Sequence, residues 1–185
     1  VVNNSNRDQK YALSNVISNW VKTSDNKNPV LVIPPRKCRI RAGERKLLTL
    51  KAPWENLPLW SPENPNLHLL TTRLETDNQL IDERVTRFGF REFWVEKNYF
   101  MLNGMRFNLR GLWASLSTGF YFHKKQQDQI LKELHTCKKS NVNLLRFPYS
   151  PASQFFYDKC DELGIMLMPS TGFAGHRNKY IAYDN

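Results

Sequence analysis

No run of about 18 apolar residues occurs in this 185-residue chain, which excludes a membrane-spanning helix. The opening residues, VVNNSNRDQK, lack the basic start and apolar middle of a signal peptide. Cysteine is scarce. Cys38, Cys137 and Cys160 are far apart and odd in number, with no CxxC pair and no histidine at zinc spacing. Neither a disulfide framework nor a metal site is indicated, and no cofactor is expected. Charge is not concentrated either. The net charge is +10, but residues 1–97 carry 16 Lys+Arg against 11 Asp+Glu and residues 98–185 carry 11 against 6, so each part contributes +5 and no basic tail exists. In the densest basic stretch, PRKCRIRAGERK (35–46), Lys37, Arg39 and Arg41 alternate with Cys38, Ile40 and Ala42, as on the solvated face of a strand. No recognition helix or aromatic RNA-binding motif accompanies it, so neither nucleic acid nor a membrane is an expected partner.

What is present changes character along the chain. Up to about residue 97 the signals are short strands: YALSNVISNWV, NPVLVIP, KCRIRAG, KLLTLKAP, LHLLTTRLET and QLIDERVTRFGF, separated by turn chemistry such as SDNKNP, AGE, SPENPN and TDNQ. Six or seven strands without a helical period predict an antiparallel immunoglobulin-like β-sandwich over 1–97. The Cys…Trp…Cys spacing of antibody domains is absent, so the expectation concerns architecture only.

Beyond residue 98 the period is helical. KKQQDQILKELHTCKK places Ile130, Leu131, Leu134 and Cys137 on one face. NVNLLRFPY reads as a strand, and SPASQFFYDKCDELG as a second helix with Ser150 as N-cap, Pro151 at the first helical position and Gly164 after the last turn. Its buried stripe is Phe155, Phe156, Cys160 and Leu163. GIMLMP then has the uninterrupted apolar character of a parallel strand covered on both faces. With the strand expected over 105–109, after the Asn103-Gly104 turn in FMLNGMRFNLRG, the order is βαβαβ with strands at 105–109, 142–147 and 165–168. The Asn-Gly pair is the residue choice of a two-residue type I′ hairpin. No G-x-G-x-x-G follows the first strand, which disfavours a dinucleotide-binding sheet and favours a (β/α)8 barrel. Three strands cannot close one, so the fold class expected over 98–185 is an incomplete TIM-barrel-like α/β segment.

Four stretches in order carry a resemblance: LPLWSPENPNLHLL (57–70), IDERVTRFGFRE (81–92), FMLNGMRFNLRG (100–111) and FFYDKCDELGIML (155–167). They resemble the landmarks of glycoside hydrolase family 2, which holds β-galactosidases, β-glucuronidases and β-mannosidases. In that family the first two motifs close the immunoglobulin-like domain and the Leu-Asn-Gly hairpin opens the catalytic barrel. Physical reasons support the landmarks independently. The prolines of LWSPENP deny ladder donors and make an ordered corner over Trp60, while Gly89, between Phe88 and Phe90, permits a close backbone approach.

The resemblance implies hydrolysis of β-linked glycans by a retaining mechanism, with two carboxyl groups about 5–5.5 Å apart. It places those glutamates on the fourth and seventh barrel strands, beyond the three strands here. Asp128, Glu133, Asp158, Asp161 and Glu162 fall on the helices, so no catalytic residue is assigned and the 185-residue chain alone is expected to be inactive. Three candidate substrate contacts remain at the strand ends. Arg146 aligns with an arginine that many members keep beneath the sugar site, and it must be paired if buried. Trp113 is placed to form a stacking wall or to pack under a loop. Tyr149 stands where relatives often carry His or Gly. RGLWASLS, FPYSP and MPSTGF depart from the motifs of many β-galactosidases, so the sugar is unassigned and the magnesium site of some members is not expected. The expected partners are a carbohydrate, reached through a complete barrel, and, for the apolar strand edges, the remaining barrel or a second copy. The family's usual work on glycans implies a periplasmic or extracellular setting. The competing reading is a noncatalytic carbohydrate-binding or protein-interaction sandwich.

Overall fold

The computed structural model describes residues 1–21, 29–77, 79–113, 124–147 and 152–169. It divides into two units: Val1–Trp60 with Asn66–Phe90, and Ser61–Pro65 with Arg91–Asn185.

The first unit is built on a four-stranded antiparallel sheet in the order β2-β1-β3-β4, made of β1 (Gln9–Asn19), β2 (Pro29–Ile40), β3 (His68–Thr76) and β4 (Gln79–Phe88). The two strands expected from NPVLVIP and KCRIRAG are one long strand, β2. Its prolines explain how. Leu13 faces Arg36 and Asn15 faces Ile33, so Pro34 and Pro35 together oppose Ser14 in a bulge. Two residues without N–H donors are tolerated because, among the described residues, β2 pairs only with β1 and lies at the sheet edge. The strand expected from KLLTLKAP is not formed. In that region only Arg45 makes a bridge, to Val2, and residues 46–53 lie outside the ladders. Leu47 is 93% exposed while Leu48 and Leu50 are half-buried, so the run keeps the in–out alternation read from its sequence but its backbone joins no ladder.

Register puts Tyr11, Ile17, Ile40 and His68 on one face of the sheet, and all four are buried together with Trp60 and Leu67. A Cβ on Gly89 would stand 3.1 Å from Trp60 Cβ and 3.2 Å from the Asn66 carbonyl oxygen, the close approach expected of this glycine. The rings on either side of it, Phe88 and Phe90, meet edge to face at 5.1 Å, and His68 and Trp54 complete the group at 4.9 Å from each other.

Asn3 is, with His68, the most deeply buried polar side chain among the described residues of this unit, 1% exposed. Its Nδ2 donates toward the carbonyls of Arg7 (2.9 Å), Ile40 (3.1 Å) and Arg41 (3.0 Å). Its Oδ1 accepts from Ser5 N (3.1 Å), Ser5 Oγ (2.8 Å) and Tyr11 Oη (3.3 Å). Backbone bonds from Asn3 N to Glu44 O and from Gly43 N to Asn3 O finish the knot. One amide thus ties the first residues to the far end of β2.

The second unit begins with a meander of β5 (Phe93–Glu96), β6 (Tyr99–Leu102) and β7 (Met105–Phe107). Asn103 (φ 52°) and Gly104 (φ 82°) form the turn between β6 and β7, the positive pair of a type I′ hairpin. Next come β8 (Gly111–Trp113), α1 (Lys124–Lys139), β9 (Leu144–Phe147), α2 (Gln154–Leu163) and β10 (Met166–Pro169), with β8, β9 and β10 parallel in that order. The βαβαβ pattern is present, with its boundaries corrected. Residues 105–109 are not the first parallel strand; β7 pairs antiparallel with β6, and the parallel strand starts afresh at Gly111. β9 begins at Leu144 rather than 142 because Val142 N–H caps α1 at Cys137 O. β10 begins at Met166 rather than 165 because Ile165 N–H bonds Cys160 O. The N-cap of α2 is Ser153, which accepts from Phe156 N–H, and not Ser150; Ser150 and Pro151 lie outside the described residues. Gly164, at φ 70°, is the C-cap as expected.

Ile130, Leu134, Leu145, Phe156, Cys160 and Ile165 form the core between the two helices and the parallel ladder, with Cys137, Phe155 and Leu163 packed against it. Of the faces expected, Phe155, Phe156, Cys160 and Leu163 of α2 and Ile130, Leu134 and Cys137 of α1 pack here, while Leu131 is half-buried outside this cluster. Burial pushes the thiols of Cys160 and Cys137 up from their ordinary range, as befits inert core residues.

Truncating the Asn3 amide strands several buried partners at once. We expect Asn3→Ala to lose about 2–4 kcal/mol in urea unfolding; a loss below about 1 kcal/mol would show that the knot is replaced by solvent.

Candidate functional site

Barrel chemistry is carried at the C-terminal ends of parallel strands, and here those ends are in register. Trp113 lies beside Arg146, and Met168 beside Arg146 on the other side. Which way they face follows from parity. Leu145 is buried in the helix-facing core and Leu167 packs against it, so Arg146 and Met168, one residue on, point to the opposite side of the ladder. In a closed barrel that side is the interior.

Two of the three expected site residues are thus brought together. The Arg146 guanidinium carbon stands 5.2 Å from the centroid of the Trp113 ring. The expectation that Arg146 needs a counter-charge if buried does not arise, because the side chain is exposed. Trp113 is 53% exposed and Met168 50%, so the three make an open strip: indole, cation, thioether. Such a strip can stack on the C–H face of a ring and present up to five N–H donors to an oxygen-rich ligand. Tyr149, the third candidate, lies outside the described residues.

Among the described residues, β8, β9 and β10 carry no acidic side chain; Asp128 and Glu133 sit on α1, and Asp158, Asp161 and Glu162 on α2. No group of three or more His, Cys, Asp or Glu suited to a metal ion occurs among the described residues. The strip can bind and orient. It contains no acid, base or nucleophile for glycosidic cleavage.

Residues 1–91 match the family described as Glycosyl hydrolases family 2, and residues 93–182 match Glycosyl hydrolases family 2, TIM barrel domain. The chain belongs to glycosyl hydrolase family 2. This family 2 chain is 31% identical over 122 residues to β-galactosidase BgaC of Bifidobacterium adolescentis, a match covering 65% of this chain and 12% of that protein. It is 35% identical over 120 residues to a β-galactosidase of Thermoanaerobacterium thermosulfurigenes, covering 61% and 16%. The crystal structure of Bacteroides uniformis β-glucuronidase superimposes with a TM-score of 0.72 at 20% identity, covering 90% of this chain and 20% of that one. The chain therefore spans less than a fifth of the length of either curated relative. Its fold is the family's immunoglobulin-like sandwich followed by the first part of the TIM barrel.

Sequence reading missed the residue that seats the strip. Asn143, 1% exposed, accepts from Arg110 N–H through Oδ1 (2.7 Å) and donates from Nδ2 to Asn108 O (2.9 Å). Its carbonyl accepts from Met166 N–H at 2.8 Å, so one residue sets the starts of β8, β9 and β10. The signal was an asparagine at the head of an apolar run, in NVNLLRF, where a polar side chain must find backbone partners. Met168 gave no signal beyond its place in an apolar strand.

Replacing Asn143 by Leu orphans Arg110 N–H and Asn108 O. We expect amide exchange of Leu144, Leu145 and Met166 to accelerate about tenfold or more; unchanged exchange there would remove Asn143 from its seating role.

Proposed function

We propose that this chain is the sandwich and barrel-opening part of a β-glycosidase acting on β-linked glycans, and that Arg146 and Trp113, with Tyr149, form one side of its sugar site. The observation that supports this reading most is the Arg146–Trp113 pair, exposed at the C-terminal ends of neighbouring parallel strands on the side away from the helices. Retaining hydrolysis needs two carboxyl groups about 5–5.5 Å apart. In this reading they come from barrel strands other than β8–β10, and the part played by this chain is orientation. Arg146 offers a fixed fork of donors to a carboxylate or to sugar hydroxyls, and Trp113 offers an apolar wall.

The test is kinetic, on aryl β-glycosides, in a protein carrying this chain together with the rest of the barrel. Losing charge-assisted hydrogen bonds of about 1.5–3 kcal/mol, Arg146→Met should lower kcat/KM by about 10- to 100-fold. Trp113→Ala should act mainly on KM, by about three- to tenfold. The 185-residue chain by itself should show no turnover. Wild-type kinetics in both variants, or turnover by the chain alone, would overturn the reading.

A further inference from the structure

Ser61–Pro65 clusters with the second unit although the residues on both sides of it belong to the first. The segment is a closed turn: Ser61 N–H bonds Asn64 O at 2.9 Å, and Asn64 N–H bonds Ser61 Oγ at 3.0 Å. The first of its two prolines, Pro62, is fully buried. Pro62 rests on the C-cap of α2, where a Cβ added to Gly164 would lie 2.8 Å from Pro62 C and Cα. Gly164 is thus required twice, for its φ of 70° and for the absence of a side chain.

The third member is Lys138, in the last turn of α1. A lysine there ordinarily extends its ammonium into water. Lys138 instead turns inward and donates to the Pro62 carbonyl and, at 3.2 Å, to the Gly164 carbonyl. Burial lowers its pKa, the nearby Glu63 carboxylate opposes that, and Arg110 adds to it. The ammonium is thus drawn partly out of water to two backbone carbonyls, with the Glu63 carboxylate of the same segment nearby.

We propose that Ser61–Pro65 is a strap that locks the C-terminal ends of α1 and α2 together, with Lys138 as the residue that ties strap, helix and cap into one joint. The joint lies where α1 feeds β9 and α2 feeds β10, so it sets how the two crossovers enter the ladder that bears Arg146 and Met168. Its consequence for the architecture is that a segment read as the corner of the sandwich is structurally a part of the barrel's opening. The role is independent of which sugar, if any, the strip binds.

Hydrogen exchange on the 185-residue chain tests this with four variants. Lys138→Met keeps the aliphatic stem and removes the donors; amides of Ser61, Asn64 and Ile165 should exchange about tenfold faster or more, while Gly43 and Glu44, in the Asn3 knot, should not change. Lys138→Arg should restore most of the protection, and Lys139→Met, an exposed neighbour in the same turn, should behave as wild type. Gly164→Ala should expose Cys160 to thiol reagents as the α2 terminus frays. If Gly164→Ala does not fold, Lys138→Met decides alone. Wild-type exchange in Lys138→Met, or acceleration spread evenly along the chain, would overturn the strap.

Discussion

Burial of Leu145 against Phe156, Cys160 and Ile165 decides which side of the parallel ladder faces the helices, and the candidate site depends on that decision. Successive residues of a strand alternate in direction. Once Leu145 is committed to the core, Arg146 has no choice of face, and the in-register pairing carries the same parity to Met168 on one side and Trp113 on the other. A shift of one residue in β9 would drive a guanidinium into a core of six buried residues and put a leucine in its place at the ladder's open side. The strip is therefore a by-product of packing, placed by apolar side chains that never meet a ligand.

Packing sets the faces, but two buried amides set the registers. Asn3 and Asn143 are each 1% exposed, and each trades hydrogen bonds with backbone groups far away in the sequence. Both stand where the chain leaves regular structure, so that backbone groups lie buried without ladder partners. A side-chain amide suits the task because it offers two donors and an acceptor of two lone pairs in one small plane. His68 shows the contrast: it is as deeply buried, yet its Nδ1 has no hydrogen-bond partner among the described residues, and its ring is held chiefly by aromatic neighbours.

What could be read in advance divides along the same line. The helical faces of Ile130, Leu134, Phe156 and Cys160 were legible, because a 3.6-residue period survives whatever surrounds it. The Asn103-Gly104 turn and the Gly164 cap were legible because they depend on local φ. The strand starts were not. Val142 and Ile165 have fine β-propensity, yet both spend their N–H groups on helix ends, a competition that no propensity registers. KLLTLKAP differs again: its in–out pattern was legible, with Leu47 exposed and Leu48 and Leu50 half-buried, but whether its backbone finds a ladder partner is not written in the pattern. Of the site, Arg146 and Trp113 were named from their motifs, whereas their mutual contact needed the register. Lys138 was illegible, since nothing in a helix sequence distinguishes a lysine that enters solvent from one that turns back to a carbonyl.

The state of Arg146 bears on how such a site gains strength. An exposed cation over an indole is worth about 0.5–1 kcal/mol, and about 2 or more when desolvated. In the described residues the strip is open to water and holds no counter-charge, so its electrostatic influence is small. The same guanidinium under a covered barrel would act across a lower dielectric, where each donor bond strengthens and an unpaired charge becomes costly. A carboxylate brought within reach, from a neighbouring strand or from a ligand, would relieve that cost, and the gain would grow with the degree of enclosure. Arg146 is therefore poised to be weak in an open ladder and strong in a closed one, which ties any catalytic contribution it makes to completion of the barrel around it.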